Sequence, residues 1–101
     1  MAERVLGEIL ELLRQPEFET LRWHHCQNSR SCVGAAGMPD LFIVGPRGAV
    51  WAEVKPNRGA RLRPEQTTWR YMLLSAGHRH VVWTRESVDA AIVHATLEGL
   101  L

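Results

Sequence analysis

The sequence brings two carboxylates and one ammonium together around a short apolar segment. Asp40 stands directly after Pro39, and Glu53 and Lys55 follow after twelve intervening residues. Carboxylate oxygens are the ligands that Mg²⁺ and Mn²⁺ prefer, and a neighbouring ammonium can hold or move a proton. These residues therefore predict a hard-cation site with a proton-handling group beside it.

Lys55 is the only lysine of the chain, whereas all the other basic side chains apart from histidine are arginines. An ammonium is a compact charge that can release its proton in unfavourable surroundings, and a guanidinium is effectively always protonated. A lysine in a chain that otherwise uses arginine is consistent with a chemical requirement at position 55. It is also consistent with chance, because only one residue is concerned.

A β-hairpin is expected to bring these side chains together. Residues 41–45 and 49–55 are apolar segments on either side of a tight turn at 46–48. Side chains alternate along a strand, so Glu53 and Lys55 share one face of the second segment. Charges on a sheet that helices cover are costly unless they are paired, hydrated or bound to a metal.

A lone Glu-x-Lys pair also fits a simple edge strand with a surface salt bridge. Asp40 changes this balance, because it begins the first strand of the hairpin and is presented by a proline turn. The hairpin then returns Glu53 and Lys55 to the same end. The combination favours a functional site over a surface ion pair.

The remaining elements predict a single α/β domain over residues 1–101. Apolar periodicity and turn residues indicate a helix over 3–15, a short strand over 21–26, a helix from Pro64 that stops at Gly77, a strand over 80–84 and a closing helix over 87–101 with Thr84 or Ser87 as its N-cap. The strand–helix–strand segment 49–84 predicts a parallel pair, so the sheet is expected to be mixed, with about four strands.

Charge is distributed unevenly along the chain. The first 20 residues carry five glutamates and two arginines, whereas residues 46–85 carry eight basic and two acidic side chains. The formal net charge is only +1, so bulk charge selects no partner. The asymmetry predicts a basic working surface on the middle of the fold, with ordinary solvated charges as the alternative.

Targeting signals are not recognised in this sequence. The start, MAERVLGEILELL, has glutamates where a signal peptide would be apolar, and no apolar run reaches the ~20 residues that span a bilayer. Cys26 and Cys32 lack the spacing of a redox or zinc motif, so we expect free thiols. The predicted location is the cytoplasm of a bacterium or a phage-infected cell.

The motifs resemble those of a known nuclease family. Pro39-Asp40 followed by Glu53-Val54-Lys55 is similar to the signature of the PD-(D/E)XK nuclease superfamily. The longer series G-x-P-D-L, E-V-K, G-x-R-L-x-P-E-Q, V-V-W and S-V-D-A resembles the virus-type replication–repair nuclease (VRR-NUC) domain over residues 25–93. The resemblance implies a restriction-endonuclease-like α/β/α sandwich with a small mixed β-sheet.

The resemblance also implies a role for each matching residue. Asp40, Glu53 and the backbone carbonyl of Val54 would bind Mg²⁺ or Mn²⁺. Lys55 would orient or deprotonate the attacking water, or stabilise charge on the phosphoryl oxygens. Gln66, at the start of the second helix, would hold a metal-bound water or the scissile phosphate, although its position also fits an exposed helix-start residue.

Further residues are implied in DNA contact and in metal binding. Backbone phosphates would meet Arg30, from an N-S-R element similar to a D-S-R element of some members, the loop arginines Arg58, Arg61 and Arg63, and His25. Many superfamily members supply a glutamate from the first helix. Glu8 and Glu3 both border the apolar stripe, and Glu8 is preferred because Glu3 lies near a frayed end.

The resemblance implies a metal-dependent endonuclease that acts as a homodimer on branched DNA such as a four-way junction. Two alternatives remain. The chain could be a DNA-binding module that kept a nuclease fold, or a subunit that is active only within a larger replication, repair or phage complex. An intact Asp40, Glu53 and Lys55 set argues against the first alternative.

Overall fold

A four-stranded mixed sheet with helices packed around it forms the framework of the protein. The computed structural model describes residues 2–26 and 36–101. In chain order, the described elements are α1 (Ala2–Leu13), a 3₁₀ turn (Pro16–Phe18), β1 (Arg22–His25), β2 (Leu41–Gly45), β3 (Gly48–Val54), α2 (Pro64–Ser75), β4 (His80–Trp83), α3 (Arg85–Asp89) and α4 (Ile92–Leu100). The predicted α/β class is confirmed.

The strands lie side by side in the order β1-β2-β3-β4. β1 pairs with β2 and β2 pairs with β3 in antiparallel fashion, whereas β3 and β4 are parallel. Helix α2 forms the crossover that a parallel pair requires. The sheet is therefore mixed and four-stranded, as the order of elements predicts.

Helix α1 forms because its apolar residues recur on one face. Val5, Ile9 and Leu13 are four residues apart and are all buried. They join a core that includes Ile43 and Val50 from the central hairpin. This packing sets the first helix against the sheet and leaves its glutamates at the borders of the buried face.

The predicted closing helix is wrong in one respect, because it is divided into α3 and α4. Ala91 separates them in the left-handed conformation, with φ of 59°. The break redirects the chain so that Val93, Leu97 and Leu100 become fully buried. The two predicted caps act together, since Thr84 Oγ1 accepts from the Ser87 N–H and Ser87 Oγ accepts from the Thr84 N–H.

Cys26 corrects the expectation of free thiols. Its side chain is buried and disulfide-bonded. The cytoplasmic location, which partly depended on free thiols, stays a prediction. None of the described helices has the length and apolar character that crossing a lipid bilayer requires.

His80 is a buried imidazole that the guanidinium group of Arg70 contacts. It begins β4 opposite Trp51, and only 6% of its surface is exposed. Arg70 Nη1 donates to His80 Nδ1 at 2.8 Å and to the His80 carbonyl at 3.1 Å. Burial, and then the charge of Arg70, lower the pKa of His80 to about 4. The neutral ring is therefore the form that fits the fold.

This pKa predicts a loss of stability in mild acid. The unfolded chain binds the proton near the ordinary pKa of 6.5, but the folded chain binds it only near 4. The free energy of unfolding should therefore fall as the pH drops through that window. Denaturant titrations at several pH values should show a flatter dependence for His80→Gln than for the unmodified chain. The exposed His78→Gln should keep the original slope, and parallel curves for all three proteins would contradict the assignment.

Candidate active site

The hairpin places Asp40 beside Glu53. Leu41 pairs with Ala52, so the next pair outward brings the two acidic residues opposite each other. Val54 N–H donates to Asp40 Oδ2 at 2.7 Å, and Cys26 N–H donates to the Asp40 carbonyl at 3.0 Å. Backbone groups from both neighbouring strands therefore hold Asp40 in place, as the turn chemistry predicts.

Glu53 is a buried carboxyl group, with 3% of its surface exposed. Its Oε1 accepts from Gln66 Nε2 at 3.0 Å, while its Oε2 finds no hydrogen-bond partner in the part of the chain that the structure describes. Burial, and then the neighbouring Asp40, raise the pKa of Glu53 to about 9, although the charges of Lys55 and Arg63 oppose this shift. The charged form of this carboxyl therefore needs a cation.

Gln66 links the second helix to this carboxyl group. Its Oε1 accepts from the Arg63 N–H at 2.8 Å, which caps the first turn of α2, and its Nε2 points to Glu53. The residue is 5% exposed, so the alternative of an exposed helix-start residue is wrong. Both ends of the amide are engaged, and this geometry fixes the orientation of Glu53.

Gly37 lets the turn before Asp40 lie directly on helix α2. Its φ is +84°, and an added Cβ would lie 2.5 Å from the backbone carbon of Glu65. Trp69 Nε1 donates to the Ala36 carbonyl at 3.0 Å, which anchors the same turn to α2. The G-x-P-D motif thus has a packing role as well as a chemical one.

A cavity of about 210 Å³ opens onto these side chains. It is lined by Ala2, Glu3, Leu6, His25, Cys26, Met38, Asp40, Glu53, Val54, Arg63 and Gln66. The sequence did not single out Leu6 or Met38. The sequence could have pointed to both, since Met38 is the variable residue of the G-x-P-D motif and Leu6 lies one helical turn after Glu3.

The donors in this cavity fit a hard divalent cation. Asp40 and Glu53 present carboxylate oxygens, and the buried Glu53 Oε2 lacks a partner among the described residues. Oxygen donors of this kind suit Mg²⁺ or Mn²⁺. Asp40, Glu53 and Val54, which were predicted as ligands, all line the cavity.

The structure brings Glu3, not Glu8, to this cavity. Glu3 lines it from the first turn of α1. Glu8 makes a two-pronged ion pair with Arg85, with Glu8 Oε1 at 2.8 Å from Arg85 Nη2. This contact lowers the pKa of Glu8 and turns it away from the other carboxylates. The preference for Glu8 therefore does not agree with the geometry.

The predicted basic residues are placed around the same end of the sheet. Lys55 follows β3, is half-buried, and extends the parallel ladder through its N–H to the Trp83 carbonyl at 2.9 Å. Arg63 lines the cavity, while Arg58 and Arg61 are exposed in the loop before α2. His25 forms part of the cavity wall. Arg30 lies outside the described residues.

Substitution of the two helix glutamates should separate their roles. We expect Glu3→Gln to weaken Mn²⁺ binding roughly tenfold, comparable with the loss of a supporting metal contact. Glu8→Gln should leave Mn²⁺ affinity unchanged and slightly lower the melting temperature, because Arg85 loses its partner. Isothermal titration and thermal unfolding measure the two effects. Equal weakening of Mn²⁺ binding in both variants would contradict this distinction.

Solved structures share this fold. A structure described as a VRR_NUC domain protein is 27% identical, covers 91% of this chain and 84% of its own, and has a TM-score of 0.68. A second, described as a VRR_NUC domain, is 25% identical, covers 92% of this chain and 95% of its own, and has a TM-score of 0.67. No family model and no curated protein matches the sequence. The structural matches confirm the resemblance seen in the motifs.

Proposed function

Since the chain carries a nuclease domain of the VRR-NUC type, we propose that it is a DNA endonuclease dependent on Mg²⁺ or Mn²⁺ that hydrolyses phosphodiester bonds. One observation carries the proposal: Asp40 and a buried Glu53 lie side by side next to Lys55, and Glu53 Oε2 has no partner within the described chain. Such a cluster costs free energy of folding, so its presence favours a functional site over a purely structural one.

Each residue has a distinct part in this proposal. Asp40, Glu53 and the backbone carbonyl of Val54 hold the cation, and Glu3 is placed to assist. When bound, a divalent cation supplies Lewis acidity and neutralises negative charge on the scissile phosphate. Lys55 orients or deprotonates the attacking water. Gln66 acts as a positioning residue because its amide holds the Glu53 carboxyl group.

The substrate is proposed to be DNA held by its backbone. Arg63 lines the cavity, and Arg58 and Arg61 are exposed in the same loop between β3 and α2. Guanidinium groups in a loop suit phosphate contacts, which carry no sequence information by themselves. We therefore favour selection by DNA structure, with branched DNA such as a four-way junction as the substrate.

A homodimer would suit a branched substrate, because two symmetry-related sites can cut two strands in equivalent positions. Helix α2 offers the surface for it. Tyr71 and Met72 are 70% and 62% exposed, which is unusual for two neighbouring large apolar side chains of a helix. Leu74, 46% exposed, lies on the other side of Tyr71 around the helix. A second copy of this chain is the occupant that we propose for this face.

Cleavage of labelled DNA tests the proposed activity. A four-way junction, a flap, a splayed arm, a plain duplex and a single strand should be incubated with Mg²⁺ and with Mn²⁺. We expect symmetric cuts in the junction, and Lys55→Ala should reduce the rate by at least about 100-fold, because general acid–base groups contribute that much. Arg47→Ala is the matched control, since Arg47 is exposed in the turn at the far end of the hairpin.

The outcomes separate the parts of this proposal. Equal cleavage of every substrate would retain the endonuclease and remove the preference for branches. Tight binding without cleavage in either metal, unchanged by Lys55→Ala, would favour the binding-module alternative.

The dimer is tested independently by the mass in solution. We expect the unmodified chain to sediment at twice its monomer mass and Met72→Glu to shift it toward the monomer, because a charge would be desolvated in the interface. Ile92→Glu is the matched control, since Ile92 is 53% exposed but lies on α4. A dimer that survives Met72→Glu would exclude this face as the interface.

A further inference from the structure

A second group of metal-ligating side chains lies outside the nuclease site. Glu17 of the 3₁₀ turn meets His94 and Glu98 of α4, and one ligand atom from each residue lies within 4.8 Å of the others. His94 Nε2 is 3.3 Å from Glu17 Oε1, and His94 Nδ1 is 3.2 Å from Glu98 Oε1. None of these residues lines the cavity that contains Asp40 and Glu53.

Local structure holds this group in position. His94 and Glu98 are four residues apart on α4, so they share one face of the helix. Glu17 directly precedes Phe18, which is 1% exposed and packs edge-on against the His94 ring with 5.3 Å between ring centroids. The buried phenyl ring thus fixes both the glutamate backbone and the plane of the imidazole.

The two carboxylates of this group face the same imidazole ring, and a cation would balance their charge. A neutral imidazole has a single N–H, so it can donate to one carboxylate while its other nitrogen presents a lone pair to the second. Here both ring nitrogens face carboxylates. Either a proton or a metal ion must resolve this arrangement, and a metal ion can use one ring nitrogen together with both carboxylates.

The surroundings also favour a cation. A neighbouring groove is lined by Glu11 and Gln15 together with Glu17 and His94, and no arginine or lysine is among the described residues that line it. Glu8 also lines this groove, but Arg85 balances its charge. The ion pairs of Glu17 and Glu98 in the described chain are both with His94. A negative potential at this surface would concentrate cations and repel nucleic acid.

We propose that Glu17, His94 and Glu98 form a structural site for a divalent transition-metal ion of the Zn²⁺ class. An imidazole with two carboxylates suits Zn²⁺, Ni²⁺ or Co²⁺, whereas Mg²⁺ prefers oxygen donors alone. Binding displaces any ring proton to solvent. The ion ties α4 to the 3₁₀ turn, and thereby fastens the helix that supplies Val93, Leu97 and Leu100 to the core.

Zinc titration of the full chain tests this site. The nuclease site is silenced by Asp40→Asn, and Glu53→Gln serves the same purpose if the first variant does not fold. We expect one Zn²⁺ per chain by isothermal titration and a Zn²⁺-dependent rise in melting temperature that Mg²⁺ does not produce.

Three substitutions locate the ion. His94→Gln should abolish the Zn²⁺-dependent rise, and Glu98→Gln should weaken Zn²⁺ binding roughly tenfold or more. Glu19→Gln is the matched control, since Glu19 is an exposed glutamate beside the same turn and outside the group. The melting temperature with Zn²⁺ is compared with that of the same variant without Zn²⁺. Any stability that His94→Gln loses with the Phe18 ring contact therefore does not affect the comparison.

Three results would overturn the proposal: no Zn²⁺ binding once the nuclease site is silenced, equal Zn²⁺ binding in His94→Gln, or stability that responds to pH and not to Zn²⁺. The last result would identify a proton as the cation. Because the readout is metal binding and stability with the nuclease site silenced, it is independent of whether the chain cleaves DNA.

Discussion

Two carboxyl groups held side by side, with water largely excluded from one of them, are the constraint around which this fold is arranged. Asp40 is fixed by a backbone N–H of β3, and Glu53 is 3% exposed directly opposite. Burial and the neighbouring Asp40 both disfavour the charged form of Glu53. The fold can hold these two carboxyl groups together because the hydrogen bonds of the β2–β3 hairpin fix the backbone on both sides of them. A cation can also reach them from the cavity.

The elements around this pair supply hydrogen bonds and close packing. The side-chain amide of Gln66 accepts a hydrogen bond from the Arg63 N–H at the start of α2 and donates one to Glu53. The same side chain therefore positions both the helix and the carboxyl group. Gly37 permits the preceding turn to touch α2, where a Cβ would meet backbone atoms. A change in the position of α2 would therefore also move Glu53, one of the proposed metal ligands.

The uneven charge of the sequence becomes two surfaces with different chemistry. Arg63 lines the cavity that contains Asp40 and Glu53, and Arg58 and Arg61 are exposed in the same loop before α2. This loop suits a phosphate backbone, and the cavity suits a hard cation. Glutamates of α1 and the 3₁₀ turn border a groove on which His94 also lies, and this combination suits a softer ion. The proposed DNA-binding loop and the proposed Zn²⁺ site therefore lie on different surfaces of the fold.

Local spacing was sufficient to predict the hairpin, the mixed sheet and the meeting of Asp40 with Glu53, because strand alternation and turn chemistry act over only a few residues. Contacts between distant elements decided the rest. Glu8 pairs with Arg85, and Glu3 is the helix glutamate that lines the cavity. The closing helix is broken at Ala91, and Leu97 and Leu100 after the break are buried in the core. Glu17 and His94 meet across 77 positions of sequence. Periodicity can place a residue on a face of its own helix, but only the packing of that helix against the others decides which side chain the face will meet.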